Sequence, residues 1–227
     1  EALETNFVSS KSPAEYAHLY ADDGLTGGHV ISLGTGNKNA ALEALTAFPD
    51  GMHYGGGVNP DNASEFLDAG ASHVIVTSWI FAQNKLDLQK LSELSRRVGK
   101  QRLVLDLSCR LRGNDFFVVT NRWQTFTDEK VDAALLSKLS EYCVEYLVHG
   151  VDVEGKSQGI QEDLIRILGK HSPLPVTYAG GVSKLSDLDL VKEIGDNRVD
   201  LTIGSALDIF GGEIPYEKVI EWSKKNS

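Results

Sequence analysis

The chain has 227 residues, 41% of them apolar, and a formal net charge of −10 at pH 7. The apolar content is typical of a globular domain, and the length fits a single α/β barrel of about 200–250 residues. No apolar run approaches the roughly 20 residues that cross a bilayer, which argues against a membrane partner, and the acidic charge argues against a nucleic acid partner.

The cysteine and histidine patterns argue against a disulfide framework and a metal site. Cys109 and Cys143 are the two cysteines of the chain, and their wide separation predicts reduced thiols in a reducing compartment. The six histidines have neither an HExxH pattern nor a paired-ligand spacing. We therefore predict no structural or catalytic metal.

Seven short apolar runs, rich in Val, Ile and Leu, alternate with amphipathic stretches along the chain. The runs span residues 29–33, 52–54, 73–77, 102–107, 146–151, 176–178 and 201–203. They do not alternate strictly with polar residues, which predicts parallel strands buried on both faces. The amphipathic stretches predict helices over residues 12–21, 39–48, 61–69, 86–98, 131–143, 161–168, 185–194 and 216–225.

Capping signals mark several of the predicted helix ends. Ser12 before Pro13 begins the first helix, and Asn59-Pro60-Asp61 begins the third. Glycines are predicted to end five of the helices. They are Gly24, Gly70, Gly99, Gly169 and Gly195.

Eight helices with seven strands favour a closed barrel over an open parallel sheet. In a (β/α)8 barrel every helix follows a strand, but no apolar run precedes the first predicted helix and none follows the last. A barrel without one strand would leave two unpaired edges. We therefore expect one (β/α)8 TIM-barrel domain over residues 1–227, with its first strand upstream of residue 1.

Residues 116–125 interrupt the alternation between the fourth predicted strand and the fifth predicted helix. Their aromatic and β-branched residues predict a small β excursion. In a barrel, such an excursion would project from the C-terminal face, where active sites lie.

The chain also repeats itself weakly. Tyr54-Gly-Gly-Gly-Val58 is echoed by Tyr178-Ala-Gly-Gly-Val182, and Val74-Ile-Val-Thr-Ser78 is echoed by Leu201-Thr-Ile-Gly-Ser205. A half-barrel of four βα units, used twice, would give this echo and a twofold pseudosymmetry.

The echoed elements have the physical character of phosphate-binding turns. Glycines after a strand let the backbone approach an anion, and the next helix N-terminus offers unpaired N–H groups. One such turn alone is more often only a tight turn. Two turns, each paired with a strand end that carries Ser, favour two phosphate sites on opposite sides of the barrel mouth.

Together with three further segments, this echo resembles the eukaryotic-type ProFAR isomerase family of histidine biosynthesis. The segments are Leu103-Val-Leu-Asp-Leu-Ser-Cys-Arg110, Val148-His-Gly-Val-Asp-Val-Glu-Gly155 and Gly204-Ser-Ala-Leu-Asp-Ile-Phe-Gly-Gly212. The resemblance implies a (β/α)8 fold and a small-molecule substrate with two phosphates. The implied reaction is an Amadori rearrangement of an aminoaldose to an aminoketose, without a metal or an organic cofactor.

That reaction needs an acid to open the ribose ring and a base to remove the C2 proton. By resemblance the acid is Asp106, and its position inside an apolar run disfavours a surface or capping role. The family's base is an Asp on strand one, so no residue is assigned to it here, and the chain as given is expected to be inactive or nearly so. His149 stands where bacterial relatives place a Thr, and an orienting or substrate-binding role competes evenly with a structural one.

Trp123 matches the family's Trp that stacks on the aminoimidazole ring, although a Trp beside Arg122 could instead pack on the protein surface. The matching phosphate-loop positions are Gly56, Gly57, Thr77, Ser78, Gly180, Gly181, Gly204 and Ser205. Bacterial relatives carry an Arg where this chain reads Val58-Asn59, so that substrate contact is not transferred. The carboxylates near other strand ends are expected to be helix caps and loop ion pairs rather than catalytic groups. They are Asp152, Glu154 and Asp208.

Three alternatives share parts of this pattern. The cyclase of the same pathway has the same fold but uses ammonia, and Asn121-Arg-Trp-Gln-Thr125 favours the isomerase over it. Phosphoribosyl-anthranilate isomerase takes a substrate with one phosphate, which the duplicated turn disfavours. A non-catalytic bisphosphate-binding barrel stays open because of the missing strand. We expect a monomer in the cytoplasm, or in the plastid stroma if the source is photosynthetic.

Overall fold

The computed structural model describes residues 7–34, 36–153 and 159–226, and twelve β-strands and eight α-helices lie in these ranges. The strands are β1 Gly28–Ile31, β2 Met52–Gly55, β3 Ala71–Val76, β4 Phe81–Ala82, β5 Lys85–Leu86, β6 Leu103–Asp106, β7 Cys109–Arg112, β8 Asp115–Thr120, β9 Thr125–Lys130, β10 Glu145–His149, β11 Val176–Ala179 and β12 Val199–Thr202. The helices are α1 Pro13–Asp22, α2 Lys38–Ala47, α3 Ala63–Asp68, α4 Leu88–Val98, α5 Ala133–Leu139, α6 Glu162–His171, α7 Ser186–Ile194 and α8 Tyr216–Asn226.

Seven of the strands form one parallel sheet in the order β1-β2-β3-β6-β10-β11-β12. A helix follows each of these strands, which is the connectivity of successive units in a (β/α)8 barrel. The seven predicted strands and the eight predicted helices are therefore confirmed, with boundaries that differ by a few residues. Within the described residues β1 and β12 are the outer strands of the sheet, and the strand upstream of residue 1 stays a prediction.

Both faces of this sheet are covered, as the absence of strict alternation predicts. One set of side chains, including Tyr54, Leu105 and Tyr146, packs in the large core cluster beneath the helices. The set of opposite parity faces the interior of the curled sheet, where Ile75, Val104, Leu147 and Ala179 form a separate cluster. Successive residues of a strand point to opposite faces, so polar residues of that second parity also face the interior.

The helix ends follow the predicted signals with two exceptions. The prediction that Asn59-Pro60-Asp61 begins the third helix is wrong, because α3 begins at Ala63 with Asn62 at its N-cap. Ser12 caps α1 through a capping box: its hydroxyl accepts from the Glu15 amide at 3.3 Å, and the Glu15 carboxylate accepts from the Ser12 amide at 2.7 Å. The expectation that Gly169 ends a helix is wrong, because α6 continues to His171. A Cβ on Gly169 would lie 2.5 Å from the Gly195 carbonyl oxygen. This glycine therefore allows a close approach to the end of α7.

The predicted β excursion is confirmed and is larger than expected. β7, β8 and β9 form an antiparallel sheet between β6 and α5. A second excursion, the hairpin β4–β5, was not predicted. Its turn residues, Gln83 and Asn84, have φ values of 49° and 64°, and Asn in a left-handed turn is the weak signal that could have indicated it.

Polar residues occupy the interior face at the amino ends of the parallel strands. His29, His53 and His73 lie on three neighbouring strands, with ring centroids 5.6 Å apart for the first pair and 4.5 Å for the second. On the same face, farther across the sheet, the hydroxyl of Thr177 on β11 donates to the carboxylate of Glu145 on β10 at 2.9 Å. His53 is 5% exposed, and its Nδ1 has no hydrogen-bond partner in the described part of the chain.

This environment disfavours a charged imidazole. Burial, followed by the like charge of the neighbouring His73 and His29, lowers the pKa of His53 from 6.5 to about 3. Burial and then His149 lower the pKa of His29 to about 4. The unfolded chain binds protons at these sites more readily than the folded chain does, so stability is complete above pH 6.5 and falls as the pH decreases below it.

Acid should therefore destabilise the fold in a way that depends on His53. Between pH 7 and pH 5 the free energy of unfolding should fall by about 2 kcal/mol for this group alone. Urea unfolding measured across this range checks the slope, and His53→Gln should reduce it. His18→Gln, on an exposed position of α1, is the matched control and should leave the slope unchanged. An equal slope in His53→Gln and the parent would contradict the assignment.

Candidate active site

Asp106 ends β6 on the face that points into the barrel mouth. The Ser108 hydroxyl, itself 1% exposed, donates to Asp106 Oδ1 at 2.9 Å. Burial raises the pKa of the Asp106 carboxyl above its ordinary range, while the charge of His149 and the hydrogen bonds from Ser108 oppose that rise. A carboxyl group that holds its proton more firmly than usual is suited to act as a general acid.

His149 ends the neighbouring strand β10 and faces the same space. The parallel register places Asp106 beside Leu147, so the imidazole of His149 projects from the same face two residues farther along. The structure therefore brings together the two residues that the sequence nominates for catalysis.

Trp123 reaches this pair from the small antiparallel sheet. It lies in the turn between β8 and β9, where Thr120 pairs with Thr125. Its ring meets the His149 ring edge-on, with centroids 5.1 Å apart and an interplanar angle of 62°. The indole is 39% exposed, so one part of the ring contacts His149 and another part is available to a ligand.

The predicted turn residues of the second half line one pocket of about 410 Å³. Gly180 and Gly181 follow β11, and Gly204 and Ser205 follow the neighbouring β12. The loop that contains Gly180 and Gly181 is fixed by the buried Asp187, whose Oδ2 accepts from the Ser183 and Lys184 amides at 2.8 Å and 3.2 Å.

Several residues of this pocket were not predicted from the sequence. They are Ser183, Thr202, Gly211, Gly212 and Glu213. The Gly211-Gly212 pair was the available signal, because adjacent glycines permit close backbone approach. Among the described residues that line the pocket, Glu213 has the one carboxylate that would repel an anion, and it is exposed.

The first half places its turn residues at equivalent strand ends. Gly56 and Gly57 follow β2, and Thr77 and Ser78 follow β3. These strands are neighbours, with Gly55 opposite Ile75 in the parallel register. The four residues therefore share one part of the mouth.

The two glycine turns have nearly the same backbone geometry. Gly56 and Gly180 have φ values of 122° and 111°, and Gly57 and Gly181 have φ values of 65° and 75°. A Cβ on Gly56 would lie 2.3 Å from the Ser32 carbonyl oxygen, and one on Gly181 would lie 2.2 Å from the Gly159 carbonyl oxygen. In each half, a glycine of the turn is therefore held against the loop that follows the preceding parallel strand.

The other carboxylates near strand ends have structural partners. Asp152 pairs with Arg110 at 2.8 Å, and Asp208 Oδ1 accepts from the Tyr216 amide at the start of α8 at 2.9 Å. Both contacts agree with the expectation of ion pairs and helix caps. Glu154 lies outside the described residues.

Parallel strands with following helices, an acidic residue at a strand's C-terminal end and two echoed glycine turns define a barrel enzyme class that acts on phosphorylated substrates. The chain belongs to the histidine biosynthesis protein family, whose model matches residues 2–215.

Relatives with assigned activities resemble nearly the whole chain. A chloroplastic phosphoribosyl imidazole-4-carboxamide isomerase from Medicago truncatula is 55% identical over 96% of this chain and 70% of its own length. Isomerases with the same enzyme name from Yarrowia lipolytica and Neurospora crassa are 46% and 47% identical, each over 98% of this chain and 88% of its own length. Among the described helices, none has the length and apolar character needed to span a membrane.

The tight packing at Gly181 makes a testable demand. Gly181→Ala should lower the free energy of unfolding by about 1–3 kcal/mol, because the new Cβ would overlap the Gly159 carbonyl. Gly113→Ala is the matched control, since Gly113 also has a left-handed φ of 67° but has no atom within 4 Å of a built Cβ. Urea unfolding of both variants checks the difference, and equal losses would show that the close approach is not tight.

Proposed function

We propose that this chain is an aldose–ketose isomerase of histidine biosynthesis, which converts the aminoaldose ProFAR to its aminoketose by an Amadori rearrangement. The observation that carries the proposal is the identity of 46–55% over almost the entire chain to proteins named as this isomerase. The cyclase and the non-catalytic barrel are not favoured, because the relatives reported above carry the isomerase name.

In the proposed mechanism, Asp106 donates a proton to the ribose ring oxygen and so opens the ring. Its raised pKa supports this role, because the group must be protonated before the step. His149 lies beside it, and its positive charge would steady the carboxylate once the proton has left. The base that removes the C2 proton is assigned to the predicted upstream strand rather than to a described residue.

The proposed substrate spans the mouth with one phosphate at each glycine turn. Gly180, Gly181, Gly204 and Ser205 would hold one phosphate, and Gly56, Gly57, Thr77 and Ser78 the other. Trp123 would stack on the aminoimidazole ring between them, where its exposed part is available. The matching φ values of the two turns support equal roles for the two halves.

Two further properties of the chain belong to the proposal. We propose a monomer, which sedimentation of the longest natural form would test. The proposed compartment is the cytoplasm or the plastid stroma, and the chloroplastic Medicago truncatula relative supports the second.

Asp106→Asn tests the acid directly. In the longest natural form of the chain, assayed without ammonia, kcat of this variant should be about 10²–10⁴-fold lower than kcat of the parent. That factor is the usual contribution of a positioned acid. The parent's rate should also fall as the pH rises through the raised pKa of Asp106, because the acid is then deprotonated.

Asp200→Asn is the matched control, because its carboxyl also has a pKa raised by burial but lies near the amino end of β12. It should keep most of the parent's activity. A parent that binds the bisphosphate without turnover would contradict the isomerase assignment, and turnover that appears only with added ammonia would indicate the cyclase.

A further inference from the structure

Asp152 joins the small antiparallel sheet to the segment that follows β10, the strand that ends at His149. Its Oδ1 accepts from Arg110 Nε at 2.8 Å, and its Oδ2 accepts from the Leu111 amide at 2.8 Å. Arg110 and Leu111 are both on β7, the first strand of that sheet. One carboxylate therefore holds a side chain and a backbone amide of the same strand, and hydrogen bonds to an ionised acceptor are the strong ones.

These bonds continue the parallel pairing of the barrel beyond its last regular residue. Cys109, the first residue of β7, forms an isolated parallel bridge with Gly150. Two residues farther along, the Leu111 amide finds the side chain of Asp152 in place of a backbone carbonyl. The carboxylate thus extends the ladder between the two chain segments by one more step.

Arg110 also connects this attachment to the far strand of the sheet. Its guanidinium carbon lies 5.8 Å from the Phe126 ring centroid, and Phe126 pairs with Val119 in the β8–β9 ladder. The cation is held between the carboxylate on one side and the aromatic ring on the other. A shift of Asp152 would therefore move Arg110 and, through Phe126, would displace β9, the strand that follows the Trp123 turn.

The sheet meets the segment 149–152 at three places, which are Trp123 on His149, Cys109 on Gly150 and β7 on Asp152. The first contact is a single ring contact at a turn with three left-handed residues, Asn121, Arg122 and Trp123. A turn of that kind does not by itself fix its direction relative to another strand. The Asp152 attachment is the charged, two-bond contact that fixes it.

We propose that Asp152 is a positioning residue, which holds the antiparallel sheet so that Trp123 lies over the barrel mouth beside His149. The proposal rests on the proposed function for its kinetic consequences. Asp152 itself contacts no substrate in this account and acts through the placement of Trp123.

A double-mutant cycle tests this coupling in the longest natural form of the chain. Trp123→Ala and Asp152→Asn should each lower kcat/KM about 5- to 150-fold, which is the range that stacking of a base on an aromatic side chain provides. The loss should appear mainly as a higher KM. In the Trp123→Ala background, Asp152→Asn should have an effect below about twofold, because both changes remove the same contact.

Asp115→Asn is the matched control for a loss of charge on this sheet. Asp115 pairs with Lys130 at 2.7 Å on the same three strands, with both side chains about half exposed. It should leave kcat/KM within about twofold of the parent. Additive effects of Asp152→Asn and Trp123→Ala, or an equal loss in Asp115→Asn, would overturn the positioning role.

A second measurement needs no turnover and so separates this proposal from the proposed function. Replacing Trp79 and Trp222 with Phe leaves Trp123 as the single indole of the chain. In that background, Asp152→Asn should increase acrylamide quenching of Trp123 fluorescence about twofold, whereas Asp115→Asn should not change it. Unchanged quenching in Asp152→Asn would overturn the proposal, even if the parent isomerises the substrate.

Discussion

The parallel pairing of β6 with β10 is the contact on which the mouth of this protein depends. Each strand ends in a titratable residue of the same parity, and the register sets Asp106 beside Leu147. Because parallel strands end at the same edge of a sheet, the pairing delivers both side chains to one space without any loop contribution. The same ladder then runs on through Cys109 and Gly150 into the small sheet that carries Trp123. One set of backbone hydrogen bonds thus orders three nominated residues that come from distant parts of the chain.

Much of the fold was readable because the strands are buried on both faces. Runs such as residues 146–151 and 176–178 have no competing helical period, so strand type and order followed directly from the sequence. Gly169 was wrongly predicted to end a helix, because glycine is favoured both at helix ends and where two helices come into close contact. Only the packing partner distinguishes the two, and that partner, Gly195, is remote in the sequence. The β4–β5 hairpin was not predicted, because strands of two residues are too short to show a hydrophobic periodicity.

The candidate site was readable in a different way. Glycines that follow strands indicate close backbone approach, so the turns at Gly56 and Gly180 could be nominated from local pattern alone. Asp106 could be nominated because a carboxylate inside an apolar run needs a reason to be there. The attachment made by Asp152 could not be foreseen, since its partners on β7 lie about forty residues earlier and depend on how the excursion folds back.

The contact between Gly169 and Gly195 has a consequence for the pocket lined by the segment that leads into α7. Two helices whose backbones are in contact cannot slide past each other without a steric clash. The position of α7 along α6 is therefore fixed. The buried Asp187 in turn ties the first turn of α7 to the Ser183 and Lys184 amides. The packing of α6 against α7 therefore fixes the position of the pocket wall next to Gly180 and Gly181, although neither helix lines the pocket. The backbone of this loop would already be ordered before an anion enters the pocket. Little of the anion's binding free energy would therefore be lost to ordering the loop.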